Sequence, residues 1–436
     1  MAIMYQDDKK IQLLESVAHI RNGFVFPNWW EYLLRNGADA FEVLPIPNKK
    51  TEGWRETNLM PFFSPQRKWT LRVHKKVQEE NIPKNIYDIF PPTAIWENGA
   101  IKSRTYNSPT LFINSFKDSI LLGYGNIIQQ IFKKEKDPQH IFEALSDMFM
   151  HNGIFLYIPK ETVVEKPIHI TIMSRGFDAD TVDVPRVLVY LDDNAQATVT
   201  VHYGADTQEP HSVWVNAREQ IIVGRNAHLK YLNSIQGTND TLRFFSTSVQ
   251  LGCESSFSYN SLHLSGQFIR SEIDVEIEGE NVTSQINGLV INKGRCFSET
   301  QQLIQHLKGY GTSRIHWRGL GQEQSKTVYR GKIYIAPDAQ KSDSIQQFKG
   351  LSLSDEAVIN AKPQLEIYAD DVRCTHGATV GPPPPDLIYY FQTRGIKPDK
   401  ARSLLIRGFI NQILKEFPIR EVEDFVNICI SKEVKE

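Results

Sequence analysis

Apolar and polar residues change their rhythm twice along this chain. From "GIFLYIPKETVVEKPIHITI" (starting at Gly153) to about Asp371, short runs rich in Val, Ile, Thr and Tyr alternate with a period of two. Gly, Asn and Asp separate them. The units "DDNAQATVTVHY", "GRNAHLKYLNSI", "LGCESSFSYNSLHL", "GENVTSQINGLVI" and "DEAVINAKPQLEIY" each pair a turn with a strand, and the first four begin about 27 to 32 residues apart. No helical crossover interrupts them. This recurrence predicts a mainly β chain with a parallel β-helix at its centre, because each coil then buries its inward residues against the coils above and below. A large antiparallel sandwich is the alternative architecture.

Helical spacing flanks this region. "HIFEALSDMFM" (His140 to Met150) places Ile141, Leu145 and Met148 three and four apart, which predicts an amphipathic helix closed at Gly153. After "GPPPP" the pattern is helical again in "DLIYYFQTRGI", "PDKARSLLIRGFINQILKEF" and "IREVEDFVNICISKEV", with Leu405, Phe409 and Ile413 four apart. Pro398 suits a first helical turn and Gly395 a left-handed cap after Arg394. Four prolines cannot donate to a sheet ladder, so they end the last strand and set the helices at an offset. The apolar stripe on these helices covers either the chain's own core or a partner. The expected division is 1–152, mostly helical; 153–376, β-helix; and 377–436, helical.

Composition adds little to the fold but removes several functions. A content of 41% hydrophobic and 23% charged residues is that of a globular protein, and a net charge of -2 without a basic stripe argues against nucleic acid. No apolar run approaches the roughly 20 residues needed to cross a bilayer, and "MAIMYQDDKK" has no apolar signal core. The protein is therefore expected in the cytoplasm, with no membrane. Cys253, Cys296, Cys374 and Cys429 form no C-x-x-C pair, which fits a reducing compartment. Phosphate-loop, H-E-x-x-H and G-x-S-x-G motifs are absent, and "GYGN" (Gly123 to Asn126) reads as a loop.

The candidate chemistry lies in "LEIYADDVRCTHGATVGPPPP" (Leu365 to Pro385). Residues i and i+2 of a strand share a side, so Cys374 and His376 are placed to present a thiol and an imidazole together, half of a soft metal site. The competing readings are a small buried hydrophobe for Cys374 and a structural histidine for His376. Asp370 and Asp371 read as turn formers, His306 as an interior rung residue, and Cys253 and Cys296 as core fillers.

"YRGKIYIAPDAQKSDSIQQFKGLSLSDEAVINAKPQLEIYADDVRCTHGATVG" (Tyr329 to Gly381), followed by "YYFQTRGI" and "ARSLLIRGF", closely resembles the SufB/SufD family of iron-sulfur cluster assembly proteins. The likeness extends upstream through "PRVLVYLDDNAQATVTVHYG" and "IFLYIPKETVVEKPI" to "GWRETNL". It implies a right-handed parallel β-helix between helical domains and no catalysis by this chain. It further implies pairing with a SufB-type subunit through the β-helices, and a SufC-type ATPase docked at the C-terminal helices, here Arg394, Gly395, Ala401, Leu404, Leu405 and Phe409. The chain is then a scaffold supporting cluster assembly and iron acquisition. It would hold no cofactor tightly by itself, with a transient cluster at the SufB interface near His376 and Cys374, and would form a homodimer in isolation. Ser342 stands where SufB-type chains carry cysteine, and Gly377 follows His376 where they carry glutamate, so the likeness is to the SufD side. A β-helical polysaccharide lyase or hydrolase is the reading from another class. The missing signal peptide and the cysteine usage oppose it.

Overall fold

The computed structural model describes residues 10–11, 13–14, 26–64, 66–71, 91–104, 110–176, 179–207, 211–237, 240–264, 266–417, 419 and 421–433. In it the alternating runs stack into a parallel β-solenoid of about eight turns. Each coil gives one strand to an eleven-stranded sheet and one to a ten-stranded sheet. In the second sheet the strands starting at Gln196, His228, Ser256, Thr283, Thr312, Asp343 and Arg373 pair in parallel register, with coils of 27 to 32 residues.

The turn residues seen in the sequence have a specific task. At one corner of successive coils a residue sits in the left-handed region: Glu161, Asn194, Asn226, Glu254, Asn281, Tyr310 and Lys341, with φ between 49° and 63°. Asn tolerates this conformation better than most residues, which explains its recurrence. The corner N–H donates to the next coil, as from Asn194 to Arg225 O, Asn226 to Cys253 O and Lys341 to Asp371 O. Cys253 therefore lies in a corner, half-buried, and does not fill the core as expected. Cys296 is buried. The Cys429 side chain lies outside the described residues.

Alternate side chains from both sheets meet inside the coil as one continuous apolar core that includes Val199, Tyr231, Ile273, Ile304, Trp317 and Phe348. Several polar residues inside are hydrogen-bonded to one another. Glu219, wholly buried, accepts from Tyr203 Oη at 2.9 Å, Tyr231 Oη at 2.8 Å and Thr247 Oγ1 at 3.0 Å. His306 is an interior residue, with Nε2 2.9 Å from Ser313 Oγ.

The N-terminal region covers the outer face of the first sheet. Helix α1 (Asn28–Val43), helix α2 (Gly125–Lys133) and helix α3 (Ile141–Met148) belong to it. Trp54, Phe62 and Phe142 from this layer pack on Trp214, Phe244 and Phe268 of the sheet, with Phe142 stacked 4.5 Å from Phe244 and Phe62 edge-on to Phe268 at 4.8 Å. Asp147 of α3 is clamped by Arg186 at 2.7 Å and Arg218 at 3.1 Å.

Several local expectations change. Helix α3 ends at Met148 with Phe149 as its cap, whereas Gly153 precedes a strand; a Cβ there would lie 2.4 Å from the Phe116 ring. "GYGN" is helical rather than looped, apart from a kink at Gly123 with φ 96°. The N-terminal region also supplies Ala94–Glu97, Ala100–Arg104 and Phe112–Ser115 to the two sheets, two of their pairings antiparallel.

The C-terminal helices α4 (Pro385–Thr393), α5 (Pro398–Leu414) and α6 (Glu421–Glu433) follow the final strand, Arg373–Gly381. That strand carries the solenoid past residue 376. The second sheet has an apolar outer line in which Leu264, Ile291, Leu320 and Leu351 are register neighbours. Ile406, Ile410, Ile413 and Leu414 of α5 and Val422, Phe425 and Val426 of α6 bury against it. The stripe is thus the chain's own core, set on Ile406, Ile410 and Ile413 rather than on Leu405 and Phe409, which are half-buried. Gly395 takes the expected left-handed cap, φ 78°, and Pro398 the first turn of α5.

Candidate functional site at the open end of the solenoid

The solenoid stops abruptly. Val358–Ile367 and Arg373–Gly381 are the last strands of the two sheets, each paired on one side within the chain. Their exposure follows: Val358, Ile367, Tyr368 and Val380 all show more than a third of their surface. Exposed edge strands present unpaired N–H and C=O groups, and natural proteins cover or charge them. This edge carries large apolar residues together with Lys362, Pro363 and Glu366.

Cys374 and His376 lie on this last rung and share its inward-facing side. Cys374 pairs in register with Ser344 and His376 with Gln346, both buried one coil below. Ser344 Oγ is 2.5 Å from Ser313 Oγ, and Gln346 Nε2 donates to Tyr329 Oη at 3.0 Å. Cys374 is half-buried against the core, and that burial pushes its thiol above the ordinary cysteine range. His376 is exposed, and a Cβ at the neighbouring Gly377 would meet nothing within 4 Å. Among the described residues no third His, Cys, Asp or Glu joins them as a ligand set. Ser342 is buried and donates to Ala339 O at 2.8 Å. Asp371 serves the corner, paired with Lys341 and accepting its N–H.

The second candidate set divides. Arg394 lies with its guanidinium 5.5 Å from the Tyr390 ring centre, and Leu404 is exposed. Ala401 is fully buried, and Phe409 sits beneath Arg318 at 4.7 Å, facing the solenoid. The more prominent feature is α4, which buries none of its residues and exposes Leu387, Tyr389 and Tyr390. Its sequence signal was an apolar helix directly beyond a proline run.

The fold defines a class: a parallel β-solenoid carrying helical regions before and after it. The comparisons identify the family. Residues 173–409 match the core domain of SufB and SufD proteins of the SUF iron-sulfur cluster assembly system, and residues 32–170 match the SufBD N-terminal region. The chain belongs to the SufBD family. It is 25% identical over 409 residues to an iron-sulfur cluster assembly SufBD family protein of Synechocystis, spanning 91% of this chain and 89% of that one. It is 24% identical over 426 residues to the iron-sulfur cluster assembly protein SufD of Bacillus subtilis, spanning 94% and 95%. The match to SufD of Escherichia coli is 28% over 276 residues, 63% of this chain and 64% of that one. Membership in this family displaces the polysaccharide lyase reading. No described helix is long and apolar enough to cross a membrane.

Proposed function

We propose that this chain is a non-catalytic scaffold subunit of a SufBCD-type complex in the cytoplasm, supporting iron-sulfur cluster assembly and iron acquisition. The observation that carries the reading is the open solenoid end, where two edge strands with apolar side chains lie uncovered beside His376 and Cys374. A SufB-type solenoid would continue both sheets there by strand pairing. His376 then supplies one ligand, or accepts a proton as thiolates bind metal, to a transient cluster whose remaining ligands come from the partner. Cys374 is the secondary donor, since its half-burial and raised pKa disfavour the thiolate. A SufC-type ATPase docks on α4 and the adjoining Arg394, Gly395 and Leu404.

The test is co-expression with SufB-type and SufC-type partners, followed by purification under anaerobic conditions and iron and sulfide analysis. His376→Ala should leave the complex assembled and lower its cluster content; Cys374→Ala should lower it less. Full cluster content in the His376→Ala complex would leave this histidine a structural role alone.

A further inference from the structure

A cavity of about 580 Å³ lies between the N-terminal layer and the outer face of the first sheet, reaching from Glu52 and His140 to Gln364 on that sheet's last strand. Seven carboxylates and five cationic side chains line it, with Arg186 and Arg270 paired behind Glu135 and Glu272. Three of its lining side chains converge. His140 Nε2 is 2.8 Å from Glu272 Oε2 and 4.0 Å from Glu143 Oε2. One donor atom from each of the three falls within 4.8 Å of the others, and the side chains are only 12% to 18% exposed.

We infer that this triad binds a divalent transition-metal ion, with the cavity supplying the open coordination positions. One imidazole and two carboxylates form a borderline donor set that suits Fe²⁺, Mn²⁺ or Zn²⁺, while the nitrogen ligand disfavours Mg²⁺ and Ca²⁺. Two carboxylates can balance a divalent ion, with Arg270 behind Glu272 offsetting part of that charge.

The outer contacts hold the donors in place, as metal ligands require. Arg270 donates to Glu272 Oε1 from Nε at 3.0 Å and Nη2 at 2.7 Å, leaving Oε2 turned to His140. The Gln139 N–H donates to Glu143 Oε2 at 2.8 Å. Trp54 and Phe244 contact the His140 ring edge-on at 5.3 and 5.2 Å. Coordination through Nε2 places the imidazole proton on Nδ1 and gives up a long 3.4 Å contact with the Glu143 N–H; that N–H also donates to His140 O at 3.1 Å and so keeps a partner. Arg218 lines the same cavity, is buried, and has no hydrogen-bond partner for Nε among the described residues. It offers a donor to a water or anion carried by the ion. The site stands apart from His376 and does not depend on the scaffold reading.

The experiment titrates the full-length, chelator-treated protein with Zn²⁺, Mn²⁺ and, under anaerobic conditions, Fe²⁺, by calorimetry and by competition with a fluorescent chelator. One equivalent should bind in the wild type. Glu143→Gln retains the acceptor for Gln139 N–H, and His140→Asn retains an N-capping residue, so both variants should keep the wild-type circular dichroism and melting curve. Each should weaken binding by about tenfold or more. Absence of a one-equivalent site in the wild type, or undiminished affinity in both folded variants, overturns the proposal.

Discussion

Three histidines inside or against the solenoid are held neutral by their surroundings. Burial, joined by the nearby Arg243 charge, lowers His202 and His263 to about 3, and burial lowers His306 to about 4. The folded protein leaves them unprotonated while the unfolded chain binds protons below about 6.5, so stability is complete above that value and declines as pH falls toward 4. The midpoint of thermal unfolding should be flat near pH 7 to 8 and drop between pH 6.5 and 4. His263→Gln should lessen that drop, whatever it does to the midpoint at pH 7; an unchanged pH slope would mean that His263 does not carry it. At this scale the sequence is informative only where neighbours in space are neighbours in the chain. The spacing of Cys374 and His376 places both on one side of a strand, and the alternation around His306 places it inside. His140 and Glu272 meet across 132 residues, and no local spacing announces that pairing.

The helices show a different limit. In α5 a spacing of four selects Leu405, Phe409 and Ile413, yet Ile406, Ile410 and Ile413 make the buried face. Both rows fit a period of 3.6, and the choice is made by the leucine line on the second sheet, which a helix pattern alone does not contain. Ile410, fully buried, should cost about 2–5 kcal/mol of unfolding free energy when changed to Ala. Denaturant unfolding at constant m would measure it, and a loss below about 1 kcal/mol would show that α5 does not hold the sheet. It follows that removing everything after Gly381 uncovers Leu264, Ile291, Leu320 and Leu351, so truncation is a poor way to map docking. Tyr389→Ser combined with Tyr390→Ser spares that core. The pair should abolish co-purification with a SufC-type ATPase while leaving the melting curve in place. Retained co-purification would move the docking surface away from α4.

Over the whole molecule, the repeat length and the absence of crossovers were enough to anticipate stacked coils, because each corner and each strand recurs at a regular interval. The attachment of the two helical regions to opposite sheets was not legible, since it depends on outward residues such as Trp214, Phe244 and Leu320 whose partners are distant in the chain. An isolated chain of 50.0 kDa with an uncovered apolar end should associate in solution. Light scattering at micromolar concentration should give twice that mass, and charge placed at the edge, as in Val380→Lys, should return it to one chain. A single-chain mass for the wild type would remove the end as a self-association surface.

The two ends of the solenoid also differ in strand direction. At the first end, Ala100–Arg104 and Phe112–Ser115 run antiparallel to their neighbours; at the last, both edge strands run with the rest. Head-to-tail stacking would set antiparallel strands together, but through two different patches. Two last ends meeting about a two-fold axis would also join antiparallel strands and use the same patch twice. Association through that two-fold junction would use up the end it joins and stop at a closed pair, whereas a coil architecture elsewhere lends itself to fibres.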